Sequence, residues 1–136
     1  MPPASRAIGV VECLCEYVRQ SPGTELGWLA ALRDPVVGRA LAGMHREPAR
    51  GWTLEALGRT AGASKSVLDD RFREYLGVAP MGYLTLWRLQ LAGRQLRTSG
   101  ATIAEVAEAV GYGSEASFSR AFKRHVGEAP GEWRKG

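Results

Sequence analysis

The sequence predicts an all-α protein, in which two similar helical lobes are joined by a long linker helix and preceded by a short helical N-terminal segment. Three observations support this fold class. Apolar residues recur with helical spacing, and no stretch alternates apolar with polar residues between hairpin turns. A pattern of caps, helices and glycines occurs twice, 49 residues apart between Gly62 and Gly111. The copies are separated by residues 81–98, which contain no proline.

The composition narrows the class of protein. The 136 residues are 45% hydrophobic and 24% charged, and 2 of them are cysteines. These fractions are typical of a soluble globular chain and exclude a disordered or collagen-like one. No apolar run approaches the roughly 18 residues of a membrane span, and the N-terminus lacks the basic and apolar regions of an export signal. We therefore expect a cytoplasmic protein with no membrane contact.

Positive charge is concentrated in the C-terminal two thirds of the chain. The formal net charge is +4, and residues 46–136 carry all of this excess, because acidic and basic residues balance in residues 1–45. A modest basic excess is compatible with a nucleic-acid partner and equally with a merely basic surface. The charge alone therefore does not distinguish a nucleic-acid-binding protein from one with a merely basic surface.

The N-terminal third is predicted to form helical elements in a clear order. Residues 7–20 form a helix with an apolar stripe, which Ser21 and Pro22 end. A short apolar segment, residues 26–32, follows and completes an N-terminal segment of residues 1–33. Asp34 and Pro35 then begin a helix as cap and first residue. That helix should run to about His45 and bury Val36, Val37, Ala40, Leu41 and Met44.

The repeated pattern predicts two helix-turn-helix units. In the second copy, Thr102 and Glu105 form a capping box, Gly111 ends the first helix and Ser114 caps the next. Two helices joined by a turn of about three residues must cross steeply, as in a helix-turn-helix. The predicted domain spans residues 34–136, with a first lobe at about 34–79 and a second at about 101–134. Phe118, Phe122, His125 and Val126 should face the first helix of the second unit.

The linker helix is predicted at about residues 81–98, with buried positions at Tyr83, Leu84, Trp87, Leu91 and Leu96. At ~1.5 Å per residue its length is roughly 27 Å. One turn of duplex DNA measures about 34 Å. A rod of this length would place two recognition helices about one turn apart, which favours a DNA-binding function.

The second helix of each unit presents a different charge to solvent. If Leu68 faces the core, ~100° per residue turns Ser66, Asp70, Arg73 and Glu74 outward. The equivalent outward residues of the second unit are Ala116, Arg120, Lys123 and Arg124. The first set has a net charge of −1 and the second of +3. Because phosphates repel carboxylates, we expect the first unit to contribute little affinity for DNA.

Residues 34–134, about three quarters of the chain, resemble the DNA-binding domain of AraC/XylS-type transcription regulators. The residues that carry the resemblance in the first half are Ala61, Gly62, Ala63, Ser64, Leu68, Phe72, Arg73, Gly77, Val78, Ala79, Pro80, Tyr83, Leu84, Arg88, Leu89 and Ala92. In the second half they are Ile103, Ala104, Glu105, Val106, Ala107, Val110, Gly111, Tyr112, Phe118, Ser119, Arg120, Ala121, Phe122, Lys123, Gly127, Glu128, Ala129, Pro130, Trp133 and Arg134. The resemblance implies seven helices, two helix-turn-helix units, binding in the major groove of promoter DNA, and RNA polymerase as a candidate second partner. Family members often carry Arg where this chain has Asp70.

The candidate DNA-binding residues lie on the second helices of the two units: Lys65, Ser66, Asp70, Arg73, Glu115, Ala116, Ser117, Ser119, Arg120, Lys123 and Arg124. Arg120 is predicted to read guanine through two hydrogen bonds. Lys123 and Arg124 are better placed for phosphates. The small residues of the second helix allow close approach to the bases, and Glu115 either caps the helix or accepts from cytosine.

Other functions have weaker support in the sequence. No catalytic constellation is present, so we expect no enzyme activity, and we expect no metal or other cofactor because Cys13 and Cys15 point apart on a helix. A helical interaction or dimerisation module, or an antagonist fragment with weak DNA affinity, remains the alternative. Residues 7–20 either mediate a homodimer or pack onto the first lobe. Residues 1–33 read as a remnant of an effector or dimerisation domain, in a fragment, a truncated product or a naturally reduced regulator.

Overall fold

The computed structural model describes the backbone of residues 24–136 and the side chains of residues 29–136. This part of the chain contains eight helices and no strand: α1 (Thr24–Arg33), α2 (Pro35–Arg46), α3 (Leu54–Ala61), α4 (Lys65–Leu76), α5 (Pro80–Thr98), α6 (Ile103–Ala109), α7 (Glu115–Val126) and α8 (Pro130–Lys135). The all-α prediction is confirmed, and seven of these helices follow Asp34, as the resemblance implied. The helix predicted at residues 7–20 lies outside the described residues.

Side-chain caps fix where the helices begin. Asp34 Oδ2 accepts hydrogen bonds from the backbone N–H groups of Val36 at 3.0 Å and Val37 at 2.9 Å. Thr102 Oγ1 accepts from the Glu105 N–H at 3.1 Å, while Glu105 Oε1 accepts from the Thr102 N–H at 2.8 Å. The predicted capping box is therefore present. Caps of this kind satisfy backbone donors that have no partner within the helix.

Residues 24–85 form one compact unit. Helix α1 contacts α2 and α4, and α2 contacts α3 and α4. The side chains of Val37, Leu41, Met44, Leu57, Leu68 and Phe72 are fully buried or nearly so. The prediction for Val36 was wrong, because Val36 is only half-buried. Gly43 is buried in the same helix, where an added Cβ would lie 3.1 Å from the Trp52 ring.

Residues 86–136 form a second compact unit. Its core contains Leu89, Ala92, Leu96, Val106, Ala107, Val110, Phe118, Phe122, Val126 and Trp133. The Trp133 indole N–H donates to the Gly93 carbonyl oxygen at 2.8 Å, and an added Cβ at Gly93 would lie 3.4 Å from the same nitrogen. The absence of a side chain at Gly93 thus lets the indole pack directly on α5. His125 was expected on the buried face and is half-buried.

Helix α5 carries two separate buried stripes. Tyr83 and Leu84 are buried as predicted, and so is Leu96, but Trp87 and Leu91 are only half-buried. The first residues of α5 belong to one compact unit, and the residues from 86 onward belong to the other. The second buried stripe therefore consists of Leu89, Ala92 and Leu96. Its first residue, Leu89, does not follow Tyr83 or Leu84 at a spacing of three or four residues.

Candidate nucleic-acid interface

Helices α4 and α7 have the same register. Each begins after a serine whose hydroxyl accepts a backbone N–H, Ser64 from Val67 at 3.2 Å and Ser114 from Ser117 at 3.1 Å. Each ends at a glycine in the left-handed region, where φ is 74° at Gly77 and 94° at Gly127. The fourth, eighth and twelfth residues are buried in both helices: Leu68, Phe72 and Leu76, and Phe118, Phe122 and Val126. The sixth, ninth and tenth residues are exposed in both.

The exposed face of α7 is cationic and unpaired. Glu115, Ala116, Arg120, Lys123 and Arg124 are exposed, whereas Ser117 and Ser119 are half-buried. Among the described residues, the side chains of Arg120, Lys123 and Arg124 form no ion pair or hydrogen bond. Their charges are therefore available to a ligand.

Ser117 takes part in the cap of α7. Its hydroxyl donates to the Ser114 carbonyl oxygen at 3.0 Å and accepts from the Ser114 hydroxyl at 2.9 Å. These two bonds hold the Ser117 side chain against the start of the helix. The small residues around it keep this end of α7 free of bulky side chains.

The basic residues of α4 are all paired with carboxylates. Lys65 Nζ lies 3.4 Å from Glu55 Oε1, and Arg73 Nε lies 2.9 Å from Asp69 Oδ2. Arg71 Nη1 lies 2.8 Å from Oδ1 of Asp34, whose other oxygen caps α2. Ser66, Asp70 and Glu74 are exposed and have no side-chain partner among the described residues. Helix α4 therefore presents carboxylates where α7 presents cations.

The Arg71–Asp34 pair was missed in the sequence analysis. Asp34 was identified as a cap, but no local pattern indicates a partner 37 residues away. The Asp34 side chain is 7% exposed, so the pair ties the start of α2 to α4. By contrast, the Asp69–Arg73 pair has the spacing that helices use for exposed ion pairs and could have been found.

The turn before α7 contains Tyr112, one of the residues that carry the family resemblance. The Tyr112 ring meets the Phe118 ring edge-on, with centroids 5.5 Å apart. Burial raises the pKa of Tyr112, and the positive charge of Arg88 on α5 opposes that rise. Burial likewise lowers the pKa of Arg88. Both side chains are half-buried.

Residues 24–136 were also searched for a metal site and for a membrane-spanning helix. No group of three or more His, Cys, Asp or Glu side chains in this part could hold a metal ion. None of its helices is long and apolar enough to cross a membrane. What the described residues do present is a pair of helix-turn-helix units with exposed second helices, the architecture of a helix-turn-helix DNA-binding domain.

Comparison with known proteins identifies the family. A family described as helix-turn-helix domain matches residues 57–136. An AraC-like transcription regulator of Streptomyces lividans is 49% identical over 128 residues, which are 94% of this chain and 42% of that protein. The transcriptional regulator AlkR of Acinetobacter baylyi is 36% identical over 125 residues, which are 92% of this chain and 40% of that protein. The chain thus spans less than half the length of these relatives.

Solved structures agree with the sequence relatives. The DNA-binding domain of AdpA, solved in complex with a target DNA, is 30% identical with a TM-score of 0.71, over 75% of this chain and 91% of that one. The C-terminal domain of AraT from Geobacillus stearothermophilus is 30% identical with a TM-score of 0.73, over 75% of this chain and 85% of that one. The chain therefore belongs to the AraC-type helix-turn-helix family of DNA-binding domains found in transcription regulators.

Proposed function

We propose that this chain binds double-stranded promoter DNA in the major groove and acts as a transcription regulator. The observation that carries the proposal is the exposed face of α7, with three unpaired cations beside small residues. The proposed DNA-binding domain comprises residues 34–136, against which α1 packs. Bound to promoter DNA, the protein would act in the cytoplasm, with RNA polymerase as a candidate second partner.

In this proposal α7 reads bases and holds phosphates with different residues. Arg120, the sixth residue of α7, donates two hydrogen bonds to guanine O6 and N7. Lys123 and Arg124, about one turn further along, contact phosphates and fix the position of the helix without specifying sequence. Glu115 lies in the first turn and accepts from cytosine N4 or interacts with the helix dipole.

The experiment that tests this function is selection of bound sequences from random duplex DNA, followed by titration at several salt concentrations. Arg120→Ala should cost about 1–3 kcal/mol on the selected site and relax one base pair. Lys123→Ala should weaken all sequences alike and lower the salt slope by about one unit. Arg94→Ala is the matched control, because it removes an equal exposed charge from α5 rather than α7. If the protein shows no salt-dependent binding to any duplex, it is instead a helical interaction module.

Self-association is a separate part of the proposal. A dimer formed through residues 7–20 would double the contacts to a symmetric operator. Its support is the apolar stripe of that segment, together with Leu29 and Leu32, which are 51% and 49% exposed on α1. Sedimentation should show a dimer that becomes a monomer when residues 1–20 are deleted. A strict monomer in both cases would mean that the segment packs on its own chain.

A further inference from the structure

The exposed carboxylate of Asp70, one of the candidate DNA-binding residues, occupies the place on α4 that Arg120 occupies on α7. We infer that Asp70 is a specificity-determining residue, which accepts a hydrogen bond from cytosine N4 in the major groove and rejects bases that present only acceptors there. This inference rests on the proposed DNA-binding function and assigns a base preference to the first helix-turn-helix unit.

The common register of the two helices places Asp70 toward the ligand. Asp70 is the sixth residue of α4 and Arg120 the sixth of α7, and both are exposed. In both helices the residues two before and two after this position are buried: Leu68 and Phe72, and Phe118 and Phe122. An α4 that lies in a groove as α7 does would therefore point Asp70 at the base edges.

The ion pairs of α4 leave the carboxylates of Asp70 and Glu74 free, and of these two only Asp70 has the place that Arg120 occupies on α7. Arg73, three residues further on, is already bound by Asp69 at 2.9 Å. Lys65 and Arg71 are held by Glu55 and Asp34. No described cation bonds to Asp70, so its carboxylate is not serving as a structural partner. Ser66, one turn earlier and also exposed, adds only a small hydroxyl to this face.

Because its side chain is a carboxylate, Asp70 is expected to contribute sequence preference rather than affinity for DNA. An ionised carboxylate can only accept hydrogen bonds. Cytosine presents the N4 amino donor in the major groove, whereas guanine presents two acceptors and thymine one acceptor with a methyl group. Adenine also presents a donor, N6, but its N7 acceptor lies beside that donor and repels a carboxylate. A wrong base places an acceptor opposite the Asp70 carboxylate, and nearby phosphates repel the carboxylate as well. Asp70 should therefore lower affinity for most sequences and lower it least where cytosine lies opposite.

The test compares four versions of the full chain: wild type, Asp70→Asn, Asp70→Ala and Glu74→Gln. Each is put through selection from random duplex DNA, and the selected site and its single-base variants are then titrated. Wild type should prefer cytosine at one position by about tenfold. Asp70→Asn should change that preference to adenine, because an amide can bond both N6 and N7. Asp70→Ala should abolish it, and both variants should bind non-specific DNA more tightly.

Glu74→Gln is the matched control, since Glu74 is exposed one turn further along α4 and the substitution changes the charge equally. It should raise non-specific affinity and leave the cytosine preference intact. The inference is overturned if both Asp70 variants select the wild-type sequence, or if Glu74→Gln removes the same preference. In either case a sequence preference governed by Arg120 would leave the proposed function standing. If wild type selects no sequence at all, the proposed function fails as well.

Discussion

Replacing Phe122 with alanine should destabilise the second unit more than Phe72→Ala destabilises the first. Both rings are fully buried, and a buried Phe→Ala change costs about 3–5 kcal/mol. The Phe122 ring contacts those of Phe118 and Trp133, with centroids 5.6 and 6.0 Å away. Among the described residues, Phe72 has one such contact, to Tyr83 at 6.3 Å. Because each aromatic pair adds about 0.5–1.5 kcal/mol, Phe122→Ala should lie at the upper end of the range.

Thermal unfolding and amide hydrogen exchange together measure this difference. Phe122→Ala should lower Tm by about 10 °C or more and remove exchange protection in α6 and α7 first. Phe72→Ala should instead remove protection in α3 and α4. If Phe122→Ala melted within a degree or two of wild type, or if both variants lost protection in the same helices, the assigned packing of these rings would be wrong.

Three further perturbations test the caps. Asp34→Ala should reduce the free energy of unfolding in urea by about 1–2 kcal/mol. Asp34→Asn should reduce it less, because asparagine retains the cap and loses only the ion pair with Arg71. Equal losses in the two variants would contradict the capping role of Asp34. Hydrogen bonds from the Thr102 backbone and side chain lower the pKa of Glu105, so its stabilisation is present above the unfolded pKa and should be lost as pH falls through the folded pKa. Glu105→Gln keeps capping geometry without titrating, and its unfolding free energy should fall less between neutral and acid pH; an unchanged pH dependence would exclude this role. Gly127→Ala should cost about 1 kcal/mol in the same urea assay because φ is 94° there, with Gly113→Ala, which meets no atom within 4 Å and lies outside the left-handed region, as the harmless control.

Local signals made most of the fold predictable. Asp34, Thr102 and Ser114 were recognised as caps from residue type and spacing alone, because capping depends on atoms two or three residues away. The duplicated pattern likewise located Phe72 and Phe122 in the core. Predictions were less accurate where burial depends on distant segments. Trp87 and Leu91 fit the helical period of α5, but the change from one compact unit to the other shifts the buried stripe to Leu89 and Ala92.

In the candidate site, too, the features that depend on neighbouring residues were predictable, and those that depend on distant segments were not. Exposure of Asp70, Arg120 and Lys123 could be derived from helical geometry once Leu68 and Phe118 were placed inside. The pairing of α4 could be derived only in part. Asp69 and Arg73 are four residues apart on one helix, a spacing that predicts the pair. Arg71 pairs with Asp34 at the start of α2, and Lys65 pairs with Glu55 at the start of α3. No local sequence pattern indicates these two contacts. Base preference at each exposed position stays a prediction.

The identical register of α4 and α7 separates the residues that could carry sequence information from those that hold the lobes together. Substitutions at the sixth, ninth and tenth residues need not disturb the buried fourth, eighth and twelfth. A lineage could therefore alter its operator by drift at exposed positions while the core remains unchanged. The same property allows the exposed residues of the two helices to be exchanged. Asp70, Arg73 and Glu74 could be placed at the equivalent positions of α7, and Arg120, Lys123 and Arg124 at those of α4. Such an exchange would alter the sequence preference of the domain without changes to its core.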